Sequence, residues 1–491
     1  MNGNNLKQRS LNGFVWKLSE KVGTQAVQFV LQIILARILF PEDYGIVGML
    51  AIFISISDVF INMGFTTALI QKKNADDTDF SSVFFANIAL ALVLYGIMFA
   101  VAPLVAAFYN EPMLTPIMRV FSLNVVIGAF SAVHNAVLAK NLEFKKSFFR
   151  GLFNILTYGV VGIVLAYHNF GAWALVYARL AGVFVGAVVL WLTVKWHPKK
   201  IFSIKRIKEL FRFSSKVLGV NLLNTVFNNI HSLIIGRYYN KEDLGQYQRG
   251  QQIPQTVMNA VDGSMSEVMY PTFSHLQSDL PRLKSALRRS MKVSMYVVFP
   301  ILLGLLVTAE PLTLFLLTDK WLPSVPYMQL TCIICMFWPL SARSHALNAI
   351  GKSGLTFKIS LISKAITLAC ILIFVKHSIF AIMISTIAAS CISFFIVSHF
   401  VKKYLGYRYR ELAIDILPSL ALSVVMAVSV YLVNLINLSS IVTLIIQIPL
   451  GIIIYVVGSA IFHFDSFKYI ISLIRSILHR NKKQDTETEI Q

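Results

Sequence analysis

Leu35 to Gly45 reads L-A-R-I-L-F-P-E-D-Y-G, and Gly236 to Gly245 reads G-R-Y-Y-N-K-E-D-L-G. With the numbering shifted by 200, Arg37 falls on Arg237, Glu42 on Glu242, Asp43 on Asp243 and Gly45 on Gly245. Each stretch closes one long apolar run and opens another, so one plan is written twice. Further on, Pro103 corresponds to Pro311 and Phe144-Lys145 to Phe357-Lys358, with the slowly drifting offset that loop insertions produce.

Outward from this pair, apolar runs alternate with short polar breaks along the whole chain. It is 56% hydrophobic and only 14% charged, against about 25% charged in soluble proteins, so lipid is its main solvent. With about 20 apolar residues per crossing, the reading is an all-α polytopic membrane protein of about fourteen transmembrane helices, the first over 13–39 and the last over 440–462. The opening run is too long for a signal-peptide core and no A-x-A site follows, so it is expected to stay as a helix.

Charge sets the orientation. With the N-terminus in the cytoplasm, the cytoplasmic connections hold Lys72 and Lys73, Lys140 to Arg150, Lys195 to Lys216, Arg282 to Lys292, Lys352 and Lys358, Lys402 to Arg410 and Lys468 to Lys483. The opposite side holds few cations, among them Arg37, Arg119, Arg237 and Lys320. This is the positive-inside pattern. It accounts for the net charge of +21 without nucleic acid, and it expects a multi-pass inner-membrane protein with both termini cytoplasmic. Six spans separate the repeats, so the copies share one orientation, related by an axis along the membrane normal.

The expected organisation is an N-lobe over 1–196, a basic cytoplasmic linker helix over 197–212, a C-lobe over 213–403, two further helices over 404–465 and a cytoplasmic tail over 466–491. The linker is basic and amphipathic, which suits a helix lying on anionic headgroups.

Polar residues within the spans mark cavities or pairs, because lipid-facing ones are expensive. Lys17, Lys21, Thr24, Gln28 and Gln32 form one face of the first helix. Asn221, Asn224, Asn228 and Ser232 form the matching face of the seventh. Asp58 and Asn62 in the second helix are echoed by Asp262 in the eighth. A water-accessible cavity lined by these helices is the expectation. Lys17, Lys21, Arg179, Arg343 and Lys364 are cations at membrane depth, and they suit an anionic substrate such as a pyrophosphate. Asp58, Asp262 and Glu267 are candidates for ion coupling.

Other chemistry is excluded. Gly351-Lys352-Ser353 lacks the earlier glycine of a phosphate loop, since position 346 is alanine. Cys332 and Cys335 form a C-x-x-C, but no second Cys/His pair completes a metal site. No nucleophile–base set emerges, so no enzyme, catalytic residue, metal or cofactor is expected.

Leu35 to Gly45 resembles the signature of Wzx-type polysaccharide flippases of the MOP transporter superfamily, closest to the colanic-acid-exporter branch. So do S-L-N-G-F-V-W (Ser10 to Trp16), A-L-I-Q-K (Ala68 to Lys72), A-F-Y-N-E-P (Ala107 to Pro112), L-E-F-K (Leu142 to Lys145) and F-G-A-W-A-L-V (Phe170 to Val176). The resemblance implies two six-helix lobes in a V, here with two added C-terminal helices. It also implies alternating access and a polyprenyl-pyrophosphate oligosaccharide as substrate, moved from the cytoplasmic to the periplasmic leaflet for exopolysaccharide, O-antigen or lipopolysaccharide synthesis. Membrane lipids, a polysaccharide polymerase and its co-polymerase are the expected partners. A multidrug or small-solute antiporter of the same superfamily is the alternative, and a membrane polymerase or ligase a more distant one.

Overall fold

The computed structural model describes residues 23–63, 65–72, 74–436 and 438–472, without the side chains of 63, 213, 262–268 and 270. Among these residues the chain is predominantly helical, with no strand. It divides into two compact units, Met1–Gln248 and Arg249–Gln491.

The first unit holds α1 (Gly23–Ile38), α2 (Pro41–Met63), α3 (Phe65–Gln71), α4 (Asp77–Tyr109), α5 (Leu114–Phe121), α6 (Leu123–Asn141), α7 (Phe144–Tyr167), α8 (Ala172–Thr193), α9 (Ile204–Tyr238) and the start of α10 (Lys241–His275). Small residues set its closest approaches. On α8, Gly182 lies where an added Cβ would come 2.8 Å from the Asn154 carbonyl oxygen of α7, and Gly186 faces the Asn154 side chain. Such small-residue seams let helix backbones pack without a hydrophobic driving force between them.

The second unit holds the rest of α10, then α11 (Leu280–Val307), α12 (Ala309–Leu316), α13 (Val325–Cys335), α14 (Ala342–Ala349), α15 (Ser353–Phe374), α16 (Ile379–Leu405), α17 (Tyr409–Leu432) and α18 (Ser440–Ile461). Its core joins Phe273, Leu283, Leu287, Met291, Met295 and Leu302 to Cys332, Cys335, Ala346 and Leu347. Cys332 and Cys335 are free and buried there.

Eleven helices or helix runs among the described residues are long and apolar enough to cross a membrane. The remaining expected spans fall on α1, α9 and α10. Of α1, sixteen residues are described, and α9 and α10 have 35 residues each. These are the helices with the polar stripes, which lower their apolar content.

Two ionic clusters hold segments that the sequence reading left to lipid or solvent. Asp76 caps α4 through a capping box with Asp79, its carboxylate accepting from the Asp79 amide at 2.9 Å. Asp79 has no exposed side-chain surface and takes Lys72 at 2.7 Å and Arg206 at 3.3 Å. Lys199 reaches Asp77 at 2.5 Å, and the Lys199 and Ser203 amides donate to the Ser81 and Ser82 hydroxyls at 3.0 and 2.9 Å. The basic stretch expected to form a separate helix on headgroups is therefore non-helical up to Ser203 and pinned to the start of α4. From Ile204 it runs without a break into α9. The physical reason is that Asp76, Asp77 and Asp79 offer fixed counter-charges, with Lys199 at 2.5 Å from Asp77 and Arg206 at 3.3 Å from Asp76 and Asp79.

In the second unit Asp415 plays the matching part. It has no exposed side-chain surface and receives Arg288 through Nε at 2.7 Å and Nη2 at 2.9 Å, Lys292 at 3.2 Å and the Tyr407 hydroxyl at 2.7 Å. Glu411, one turn earlier, takes Lys284 at 2.8 Å and Arg288 at 3.1 Å. Beyond α18 the chain is helical again over 465–472. Phe467 and Ile470 pack on the cluster around Tyr296 and Tyr455, so this part of the expected tail belongs to the bundle.

Candidate functional site: a buried arginine at a helix break

The tenth expected span is not one helix. After α13 the chain makes a tight turn over Trp338–Ser341 and restarts as α14. Pro339 lies in that turn, and proline has no N–H to continue a helical ladder. Irregular backbone at membrane depth is tolerated where it is buried in protein or lines a cavity. Here it does both.

Arg343 lies on the first turn of α14 and is 2% exposed. Its Nε donates to the Leu340 carbonyl at 3.1 Å, satisfying an oxygen at the break. Nη1 donates to the Phe394 carbonyl at 3.3 Å and to the Ser398 hydroxyl. The guanidinium carbon stands 4.6 Å from the centre of the Phe394 ring. All these partners are neutral. Among the described residues no carboxylate pairs with Arg343, and Nη2 makes no hydrogen bond. Buried charges are ordinarily paired, because an unpaired one carries the full cost of desolvation.

Beside Arg343 is a cavity of about 360 Å³, lined also by Phe337, Trp338, Ser341, Ser344, Thr367, Ser390, Ser393 and Phe394. Thr367 and Ser390 donate back to the carbonyls of Ser363 and Thr386 at 3.0 and 2.9 Å, which leaves their oxygens to accept. Sugar hydroxyls donate and accept, and sugar rings stack on flat apolar faces such as those of Trp338 and Phe394. The arrangement offers a cation for an anion and a hydroxyl-and-aromatic wall for a carbohydrate, with no group placed to break bonds.

The other expected site residues are distributed over both units. Lys364 is half-buried on α15, one turn before Thr367. In the first unit, Gln28 on α1 and Asn224 and Asn228 on α9 are exposed, and Asn221 is half-buried. Arg179 on α8 is exposed and acts electrostatically on Asp58, half-buried on α2. Two residues given separate tasks from the sequence are thus neighbours. Lys17 and Lys21 lie outside the described residues. Asp262 and Glu267 lie on α10, with side chains outside the described set.

Sequence reasoning missed an apolar cavity of about 380 Å³ between α11, α12, α17 and α18, lined by Pro300, Gly304, Met426, Gln447, Gly451 and Tyr455. Its signal was available. Gln447 is a mid-span amide, buried and bonded to the Val430 carbonyl at 3.1 Å and the Asn434 side chain at 2.8 Å.

The chain is 29% identical over 361 residues to the succinoglycan biosynthesis transport protein ExoT of Rhizobium meliloti, covering 72% of each chain. It is 22% identical over 437 residues to the lipopolysaccharide biosynthesis protein WzxC of Escherichia coli, covering 85% of this chain and 87% of that one. The fold matches the lipid II flippase MurJ in its inward closed conformation, with a TM-score of 0.74 at 16% identity over 91% of this chain and 99% of that one. It also matches an inward-facing multidrug resistance MATE family transporter of the MOP superfamily, with a TM-score of 0.63 at 14% identity over 77% of this chain and 95% of that one. The polysaccharide biosynthesis protein family model matches residues 34–326. That match spans more than half of the chain and bears out the resemblance read from Leu35 to Gly45: the protein is a multi-pass membrane protein that belongs to the polysaccharide biosynthesis protein family.

Proposed function

We propose that this protein translocates a lipid-linked oligosaccharide across the membrane, and that Arg343 holds the phosphate-bearing end of that substrate. The observation that carries the assignment is the buried guanidinium with only neutral protein partners, beside a cavity walled by hydroxyls and aromatic rings. An anionic ligand supplies the missing counter-charge, and the hydroxyls of Ser341, Ser344, Thr367, Ser390 and Ser393 suit the sugar. The family relatives' names, succinoglycan transport and lipopolysaccharide biosynthesis, support a glycan cargo.

In this reading the protein moves its cargo without transforming it. It sits in the inner membrane with both termini cytoplasmic, as the positive-inside pattern supports. The substrate enters from the cytoplasmic leaflet, drawn by Lys17, Lys21, Arg343 and Lys364. The exposed amides Gln28, Asn224 and Asn228 meet the sugar, and movement of the repeats against each other carries it across.

The test is glycan export in cells carrying Arg343→Gln, Arg343→Lys or Arg343→Ala at matched membrane levels. Loss in Arg343→Gln with partial rescue in Arg343→Lys supports a charge contact. Normal export by all three removes Arg343 from the mechanism.

A further inference from the structure

A second charged cavity lies apart from Arg343, where α11 meets the helix at 465–472. It has a volume of about 460 Å³, and Ser285, Arg288, Arg289, Lys292, Ser466 and Tyr469 line it. The first four recur at the spacing of one helical face, so α11 presents three cations and a hydroxyl along a single wall. Ser466 and Tyr469 face them from the opposite wall. That wall is held by Phe464, Phe467 and Ile470 on the core around Tyr296 and Tyr455. The cavity is therefore a gap between packed elements.

The three cations are not equivalent. Arg288 and Lys292 are turned toward Asp415, which fixes them from behind. Arg289 has no carboxylate among the described residues. Its guanidinium carbon sits 3.9 Å from the centre of the Tyr469 ring, a stacking that orients the planar fork while leaving its N–H edges available. Asp465 also lines the cavity and is its one acid among the described residues. It makes no ion pair among the described residues.

We infer that this cavity binds a phosphate group, with Arg289 as its bidentate contact, Lys292 as a second cation and the Ser466 hydroxyl as a further donor. Phosphate fits because a rigid guanidinium fork matches two of its oxygens. The phosphate comes from a phospholipid headgroup or from a soluble phosphate ester. By the charge pattern the site opens to the cytoplasmic face, where anionic headgroups attract cationic segments. Asp465 then weakens binding by repulsion, which separates a ligand site from a merely structural cluster. A structural role for Arg289 predicts that loss of Asp465 lowers stability or leaves it unchanged. A phosphate site predicts that its loss tightens binding.

The experiment uses the full chain purified in a neutral detergent. Its thermal unfolding is followed while phosphatidylglycerol, phosphatidylcholine or inorganic phosphate is added. The expected result is a saturable rise in Tm with phosphatidylglycerol or with inorganic phosphate, and a markedly weaker one with phosphatidylcholine, whose choline cation is repelled by Arg288, Arg289 and Lys292. Whichever of the two acts identifies the source. Arg289→Gln should weaken the apparent affinity by about tenfold or more, the loss expected of a charge-assisted contact, and Asp465→Asn should strengthen it. Arg289 is exposed, so its variant keeps the fold, which the unliganded Tm verifies. The inference is overturned if neither additive shifts Tm, or if Arg289→Gln and Asp465→Asn leave the shift unchanged.

Discussion

Gly45 and Gly245 are reciprocal partners: each lies against the first turn of the other's helix, one repeat length apart. A Cβ on Gly45 would come 1.7 Å from the Lys241 carbonyl oxygen, and a Cβ on Gly245 would come 1.9 Å from the Pro41 carbonyl oxygen. Both obstacles are backbone, so no rotamer relieves them, and the starts of α2 and α10 touch because neither position carries a side chain. Around the contact Lys241 reaches Glu111 at 3.3 Å and Glu42 at 3.7 Å. Gly45→Ala and Gly245→Ala should each cost at least the 1–3 kcal/mol, approximately, of overpacking, read as a lower Tm. The double variant should cost less than the sum, because one separation of the helices relieves both clashes. Full additivity would show that the two contacts are independent.

Asp415 should be the most sensitive of the described carboxylates of the second unit. Asp415→Asn leaves Arg288 and Lys292 side by side without their shared counter-charge. Removing one partner of a fully buried pair costs about 3–5 kcal/mol. Here Arg288 and Lys292 keep 30% and 34% of their side-chain surface, so solvent screening lowers the expected loss to about 2–3 kcal/mol. Thermal unfolding of the purified protein measures it, and a change below about 0.5 kcal/mol would place the pair among ordinary surface contacts.

The cap of α4 gives a pH signature. The hydrogen bond from the Asp79 amide, helped by Arg206, holds the Asp76 carboxyl below its usual range. A depressed folded value means that the stabilisation is complete above the ordinary carboxylate pKa, about 3.9, and is lost as pH falls through the lowered value. Asp76→Asn retains a capping oxygen but does not titrate. The difference in Tm between parent and variant should therefore be constant near neutrality and shrink as pH drops below about 4. A difference independent of pH would exclude this linkage.

Much of the fold was legible because its signals are local. Apolar runs mark helices, and the 200-residue offset between Asp43 and Asp243 is a direct comparison of letters. The acid clamps were not legible. Topology is written in lysine and arginine, to which carboxylates add little, so nothing in the letters singles out Asp76, Asp77 and Asp79. Asp415 finds Arg288 across 127 positions, and no periodicity announces such a pair. At the site, Arg343 stood out as a cation in an apolar run. What distinguishes it, the neutrality of its partners, arises from the break at Pro339 and the return of α16, both three-dimensional facts. Asp58 and Arg179 were read singly because they lie on different helices.

The orientation makes its own prediction. A cytoplasmic reporter fused after Lys216 should be active, and a periplasmic reporter fused after Asn169 should be active, since the basic connections alternate with sparsely charged ones. The reverse pattern would overturn the cytoplasmic entry route.

Transbilayer movement of the cargo itself is the most direct test of the central claim. The purified chain is reconstituted into vesicles containing a labelled polyprenyl-pyrophosphate oligosaccharide, and a membrane-impermeant glycosidase added outside reports how much is exposed with time. The account predicts that vesicles with the protein expose the inner pool while protein-free vesicles retain it. Arg343→Gln should slow the exchange by about tenfold or more, as the loss of a charge-assisted contact implies. If vesicles carrying the folded protein expose the inner pool no faster than protein-free vesicles, the protein is not a flippase for this class of lipid and the account is wrong.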